Sequence, residues 1–135
     1  MSVIVTDNGF AQDDWTEGFA TSDVANGPSN AVHLTPDTDP DTLAEHLDGV
    51  EMIRVAFPSF SDGRGFTLAQ RLRRMGFEGR LRAEGHVLAD QYAMARRSGF
   101  DEVEISDALA ERQPEPQWQA RANWQAYDYQ SRLRG

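Results

Sequence analysis

The sequence predicts an α/β domain of successive strand–helix units with a small parallel sheet, either an open sheet or part of a barrel, closed by a C-terminal helix. Three observations predict it. From residue 51 onward, short runs rich in β-branched or alternating apolar residues are each followed by apolar residues at helical spacing. Glycines stand just past the helical runs, at Gly76 and Gly99. The connections are too short for anything but neighbouring parallel strands joined by crossover helices.

Taken in order, Val3-Ile4-Val5 reads as a short strand. Asp7 to Asn30 mixes Gly, Asn, Asp, Ser and Pro with isolated Trp15 and Phe19, which predicts an irregular arm. Ala31-Val32-His33-Leu34 is a second strand. Asp39 and Pro40 make a helix start, an N-cap followed by proline at the first helical position. Leu43, Ala44 and Leu47 form the stripe of that helix, which Gly49 ends. The run 51–57 is a strand that breaks at Pro58. After Ser61-Asp62-Gly63-Arg64-Gly65, the residues Leu68, Leu72 and Met75 mark a helix, with Thr67 able to cap its start. The next unit is a strand at 80–84, a turn at Gly85-His86, and a helix marked by Leu88, Tyr92 and Ala95. A strand at 102–105 follows, and Ser106 caps a short helix. Pro114-Glu115-Pro116 breaks the chain before the final helix, 116–134, whose Trp118, Ala122, Ala126, Tyr129 and Leu133 form one stripe. Trp124 and Tyr127 lie off that stripe and predict a homodimer contact. Residues 1–135 are read as one domain, with an acidic irregular part at 1–50, core units at 51–111 and the C-terminal helix at 116–134.

Composition narrows the function classes. The 135 residues are 39% hydrophobic and 26% charged, an ordinary globular balance. There is no cysteine, hence no disulfide, thiolate nucleophile or cysteine-ligated cluster. There is no lysine either, since all 13 basic residues are arginine, so Schiff-base and P-loop chemistry are excluded. Residues 1–53 carry 11 acidic and no basic side chains, while 54–135 carry 11 acidic side chains and 13 arginines. The acidic surface, at net charge −9, argues against nucleic acid, and the acidic front is expected to pair with the arginine-rich remainder, the alternative being that it faces a basic partner protein. No apolar run reaches membrane-spanning length, and the first residues lack signal-peptide features, so the cytoplasm is the expected location.

Parallel sheets bind ligands beyond the carboxyl ends of their strands. Two loops fall there, Phe60–Thr67 and Arg82–Gln91. Their candidate anion-binding residues are Asp62, Gly63, Arg64, Arg82, Gly85, Asp90 and Gln91. Glycine permits close backbone approach, and arginine presents a forked donor to an oxyanion. The same arginines can instead pair with Asp62 and Asp90 to knit the units together. Any acid–base chemistry falls to Asp62, Glu84, His86 or Asp90. His33, His46 and His86 show no metal-ligand spacing, and no cofactor motif is present: Gly63-Arg64-Gly65 lacks the third glycine of a dinucleotide fingerprint.

At these loops the sequence resembles a known bacterial domain-of-unknown-function family. The stretches that carry the resemblance are Phe57-Pro58-Ser59-Phe60-Ser61-Asp62-Gly63-Arg64-Gly65-Phe66-Thr67-Leu68-Ala69 and Gly79-Arg80-Leu81-Arg82-Ala83-Glu84-Gly85-His86-Val87-Leu88-Ala89-Asp90-Gln91, then Gly99-Phe100-Asp101 and Tyr129-Gln130. That family is described as a probable oxidoreductase involved in sulfite reduction, encoded beside assimilatory sulfite reductase. The chain departs from its pattern at Arg80, His86 and Ser98, where Glu, Asp and Cys are usual. The resemblance implies a setting in assimilatory sulfate/sulfite reduction. Since these side chains carry no electrons by themselves, it implies a non-catalytic accessory or anion-binding role. The expected partners are sulfite reductase or its redox partners and a small anion such as sulfite, sulfate or phosphate. The alternative is a small enzyme, cofactor-dependent or acid–base, acting on an anionic metabolite.

Overall fold

A computed structural model describes residues 2–15, 31–43 and 49–121. Six strands form one open sheet: β1 (Ser2–Thr6), β2 (Gly9–Ala11), β3 (Ala31–Leu34), β4 (Met52–Phe57), β5 (Arg80–Gly85) and β6 (Glu102–Ser106). Their spatial order is β2-β1-β6-β5-β4-β3. β3 through β6 run parallel, each beside the next in sequence. The three core strands are thus parallel neighbours, as the short connections require.

The amino-terminal part departs from the expectation of an irregular arm. Thr6 faces Gly9 across the two residues Asp7-Asn8, closing a β1–β2 hairpin, and β1 adds antiparallel to β6. The Gly9 φ of +111° is one that a side chain rarely adopts. Asn8-Gly9 between apolar residues is a recognisable hairpin signal. The sheet is therefore mixed, with its purely parallel half between β3 and β6.

Among the described residues four α-helices accompany it: α1 (Arg64–Arg74), α2 (Tyr92–Ser98), α3 (Asp107–Arg112) and α4 (Glu115–Gln119). Gly76 and Gly99 take φ values of +101° and +117°, the left-handed positions expected past α1 and α2. The Ser106 hydroxyl accepts from the Leu109 N–H, capping α3 as expected. Thr67 does not cap α1: the helix already begins at Arg64, and Thr67 lies inside its first turn. Asp39 accepts from the Asp41 N–H, and Pro40 opens a short 3-10 turn, Pro40–Leu43. The rest of that predicted helix (44–48), Phe19, and the final-helix residues Ala122, Trp124, Ala126, Tyr127, Tyr129 and Leu133 lie outside the described residues.

Sequential strands joined by right-handed crossovers carry their helices on one face of the sheet. The core bears this out. Val32, Leu34, Ile53, Val55, Phe57, Leu81, Ala83, Val103 and Ile105 join Leu68, Ala69 and Leu72 of α1, Tyr92 and Ala95 of α2, Leu109 of α3 and Trp118 of α4 in a single buried cluster. Trp118 donates its indole N–H to the Gln113 carbonyl and packs edge-on to Tyr92, so the expected stripe does seat its first aromatic on the domain. By strand alternation, the second face takes the side chains between these: His33, Arg54, Arg80, Arg82, Glu84, Glu102 and Glu104.

Candidate functional site

The two loops at the carboxyl ends of β4 and β5 are laced to each other by backbone carbonyls. Gly85 takes φ +114°, and a Cβ there would stand 2.7 Å from the Phe57 carbonyl oxygen. The next N–H, of His86, donates to that same oxygen at 2.9 Å. His86 Nδ1 lies 3.2 Å from it, and the ring packs edge-on against Phe60. The Gln91 amide donates to the Phe60 carbonyl, while its oxygen accepts from the Leu88 N–H. Gly65 is held to glycine by contact, since its Cβ would meet the Phe57 ring at 2.5 Å. A Cβ at Gly63 would make only ordinary contact with the Phe66 ring, at 4.0 Å, and Gly63 precedes α1 without a side-chain cap.

Asp62 and Arg64 form a closed pair. The carboxylate accepts from the Arg64 backbone N–H, from Nε at 3.0 Å and from Nη2 at 2.7 Å. The side-chain bonds from Arg64 hold the Asp62 carboxyl below the usual range. Arg64 is still 59% exposed. With Thr38, Thr67 and Arg71 it borders a shallow groove of about 260 Å³. Asp90 stands on the surface and pairs with Arg121.

Arg82 is elsewhere. It sits within β5 on the second face, is 0% exposed, and shares neither partner nor groove with Arg64. The structure thus brings Asp62, Gly63 and Arg64 together on one loop and Gly85 and Gln91 on the other, and it separates Arg82 from both.

What surrounds Arg82 is a ladder of charges across the parallel strands. Its Nε donates to Glu102 at 2.6 Å and its Nη1 to Glu104 at 2.9 Å. Arg80 donates to Glu102, and Arg54 to Glu104. Arg54 Nε also donates to His33 Nδ1, which requires that nitrogen to be unprotonated. Burial, and then the Arg54 charge, push the His33 pKa below its ordinary value. From the acidic front, Asp13 and Asp14 reach Arg82 and Arg80. Asp7 pairs with Arg96 and Asp41 with Arg71. Among the described residues, Asp7, Asp13, Asp14 and Asp41 of the acidic front thus each pair with an arginine of the remainder. The sequence carried a signal for the ladder: Arg54, Arg80, Arg82, Glu102 and Glu104 all alternate with core residues at period two, so registered strands must line them up.

At the carboxyl edge of β5 and β6, a cleft of about 300 Å³ is bordered by Glu84, Gly85, His86, Glu104, Ser106 and Arg112. The Glu84 side chain makes no hydrogen bond or ion pair to a described residue, and its charge raises the His33 pKa against the larger effects of burial and Arg54. Among the described residues, no group of three or more His, Asp or Glu side chains is arranged to hold a metal ion. No described helix is long and apolar enough to cross a membrane.

A family model described as "Bacterial protein of unknown function (DUF934)" matches residues 31–135. The chain belongs to this family. The match takes in β3 through β6, both loops and the charge ladder, and leaves out the β1–β2 hairpin with Asp13 and Asp14. No curated protein and no solved structure matches the chain.

Proposed function

We propose that this chain is a non-catalytic accessory protein of assimilatory sulfite reduction, acting in the cytoplasm. In this reading it binds a small oxyanion such as sulfite, sulfate or phosphate and docks on sulfite reductase or one of its redox partners. The observation that carries the non-catalytic, docking part of the reading is that Asp62, His86 and Gln91 of the two loops are engaged in holding those loops. Asp62 is chelated by Arg64, His86 lies on the Phe57 carbonyl, and Gln91 bridges Phe60 and Leu88. Two loops stapled in this way present a stiff surface, which suits docking. The metabolic setting is supported by the resemblance of the two ordered motifs at 57–69 and 79–91. Trp124 and Tyr127 are our candidates for a homodimer contact.

A second reading, a small enzyme acting on an anionic metabolite, is favoured by one observation. Glu84 lines the β5–β6 cleft beside His86, with no hydrogen-bond or ion-pair partner for its carboxylate among the described residues. Two experiments separate the readings. Deleting the gene should abolish growth on sulfate and sulfite but not on sulfide, and the tagged protein should capture sulfite reductase subunits. Normal growth of the deletion strain on sulfate, with no capture, refutes the accessory role. Normal capture and growth with a Glu84→Gln variant refutes the enzyme.

A further inference from the structure

The acidic residues Asp13 and Asp14 meet β5 where Arg80 and Arg82 project side by side from the second face. Arg80 grips the Asp14 carboxylate with both terminal nitrogens, Nη2 to Oδ1 at 2.9 Å and Nη1 to Oδ2 at 3.3 Å. Asp13 Oδ1 lies 3.1 Å from Arg82 Nη1. One donor is left over. Arg82 Nη2 belongs to a fully buried side chain, has no hydrogen-bond partner among the described residues, and lies 3.9 Å from Asp14 Oδ1. An unsatisfied buried guanidinium donor is costly, and structures rarely keep one without a reason.

We propose that Arg80 and Arg82 form a binding site for a small dianionic oxyanion with at least three oxygens, for which Asp13 and Asp14 stand in here. The oxygen count carries the argument. A carboxylate has two oxygens, and Arg80 engages both of Asp14's. A pyramidal or tetrahedral oxyanion in the same place offers a third to Arg82 Nη2. The charge count agrees. Among the described residues, Arg54, Arg80 and Arg82 are ion-paired with Glu102, Glu104, Asp13 and Asp14, three cations against four carboxylates. A dianion that replaces the two aspartates leaves that balance unchanged, and Glu102 and Glu104 remain to hold the guanidinium groups in place. The exchange is feasible because Asp14 is 69% exposed, and an exposed ion pair holds its partners weakly. Arg82 lies inside the family-matched region, Arg80 stands there where Glu is usual, and the aspartates lie outside it.

The inference gives the proposed oxyanion its place, and so rests on the anion-binding half of the proposed function. The test uses the full chain and inorganic sulfate, by calorimetric titration at low ionic strength. Replacing both carboxylates, Asp13→Asn with Asp14→Asn, removes the built-in competitor. If that competitor fills the site about nine-tenths of the time, sulfate affinity rises about tenfold. Adding Arg80→Gln to that variant should then abolish the gain. The clamp is overturned if the double variant binds sulfate no more tightly than the wild type, or if the gain survives Arg80→Gln. Sulfate binding that ignores the aspartates and disappears with Arg64→Ala leaves the anion-binding function standing and moves its site to the first loop. No sulfate binding by wild type or variant refutes both.

Discussion

Replacing Arg82 by methionine tests the charge ladder directly. The guanidinium is fully buried and donates to Glu102 and Glu104, with Asp13 at 3.1 Å. Removing one partner of a buried ion pair typically costs about 3–5 kcal/mol, because the other charge is stranded. Here the carboxylates are only partly stranded. Glu102 keeps Arg80 and Glu104 keeps Arg54, which places the expected loss at the lower end, about 3 kcal/mol. For a chain of this length that lowers the melting temperature by about 10 °C. Urea denaturation followed by circular dichroism at 222 nm measures it, with an unchanged m-value as the check that both states are comparable. Arg82→Met with Asp13→Asn should recover part of the loss, since Asp13 is the carboxylate that loses its cation among the described residues. A loss under about 0.5 kcal/mol, the range of surface substitutions, would refute the ladder as a structural element.

Three further outcomes follow from individual contacts. Gly85→Ala forces a side chain onto φ +114° and against the Phe57 carbonyl; the expected loss is about 1–3 kcal/mol in the same urea assay. Ser106→Ala removes the acceptor for the Leu109 N–H and should cost about 1 kcal/mol, with faster amide exchange confined to the first turn of α3. His33 has its pKa depressed by burial and by Arg54, so the unfolded chain takes up the proton first. Its contribution is complete above the ordinary value of 6.5 and is lost as the pH falls below it. His33→Gln should flatten the slope of stability against pH between 6.5 and 5, and an unchanged slope counts against the depressed pKa.

The sequence by itself determined the units that depend on local periodicity. Alternation in 52–57, 80–85 and 102–106 makes strands wherever they sit. The 3.6-residue stripe of Leu68 and Leu72 makes α1, and Gly76, Gly99 and Ser106 end or begin helices through backbone conformation and a single hydroxyl. Parallel pairing of those three strands was legible as well, because short crossovers leave no other neighbour. The loop residues were legible as loops. That Asp62 would take up Arg64 was one of two open readings, and adjacency along the chain allowed it. Tertiary structure alone decided the rest. Strand β1 pairs with β6 across about a hundred residues, and only the assembled sheet edge offers it a place. The helices share one face because strand order follows chain order, which no single segment encodes. Arg82 was grouped with Arg64 because both adjoin strand ends in sequence. A strand has two faces, however, and the pleat sends Arg82 to the one opposite the helices, where Glu102, Glu104 and Asp13 meet it. Those carboxylates come from 20 and 22 residues ahead and from the far end of the chain, so register between strands, not spacing along one, makes that guanidinium buried and paired.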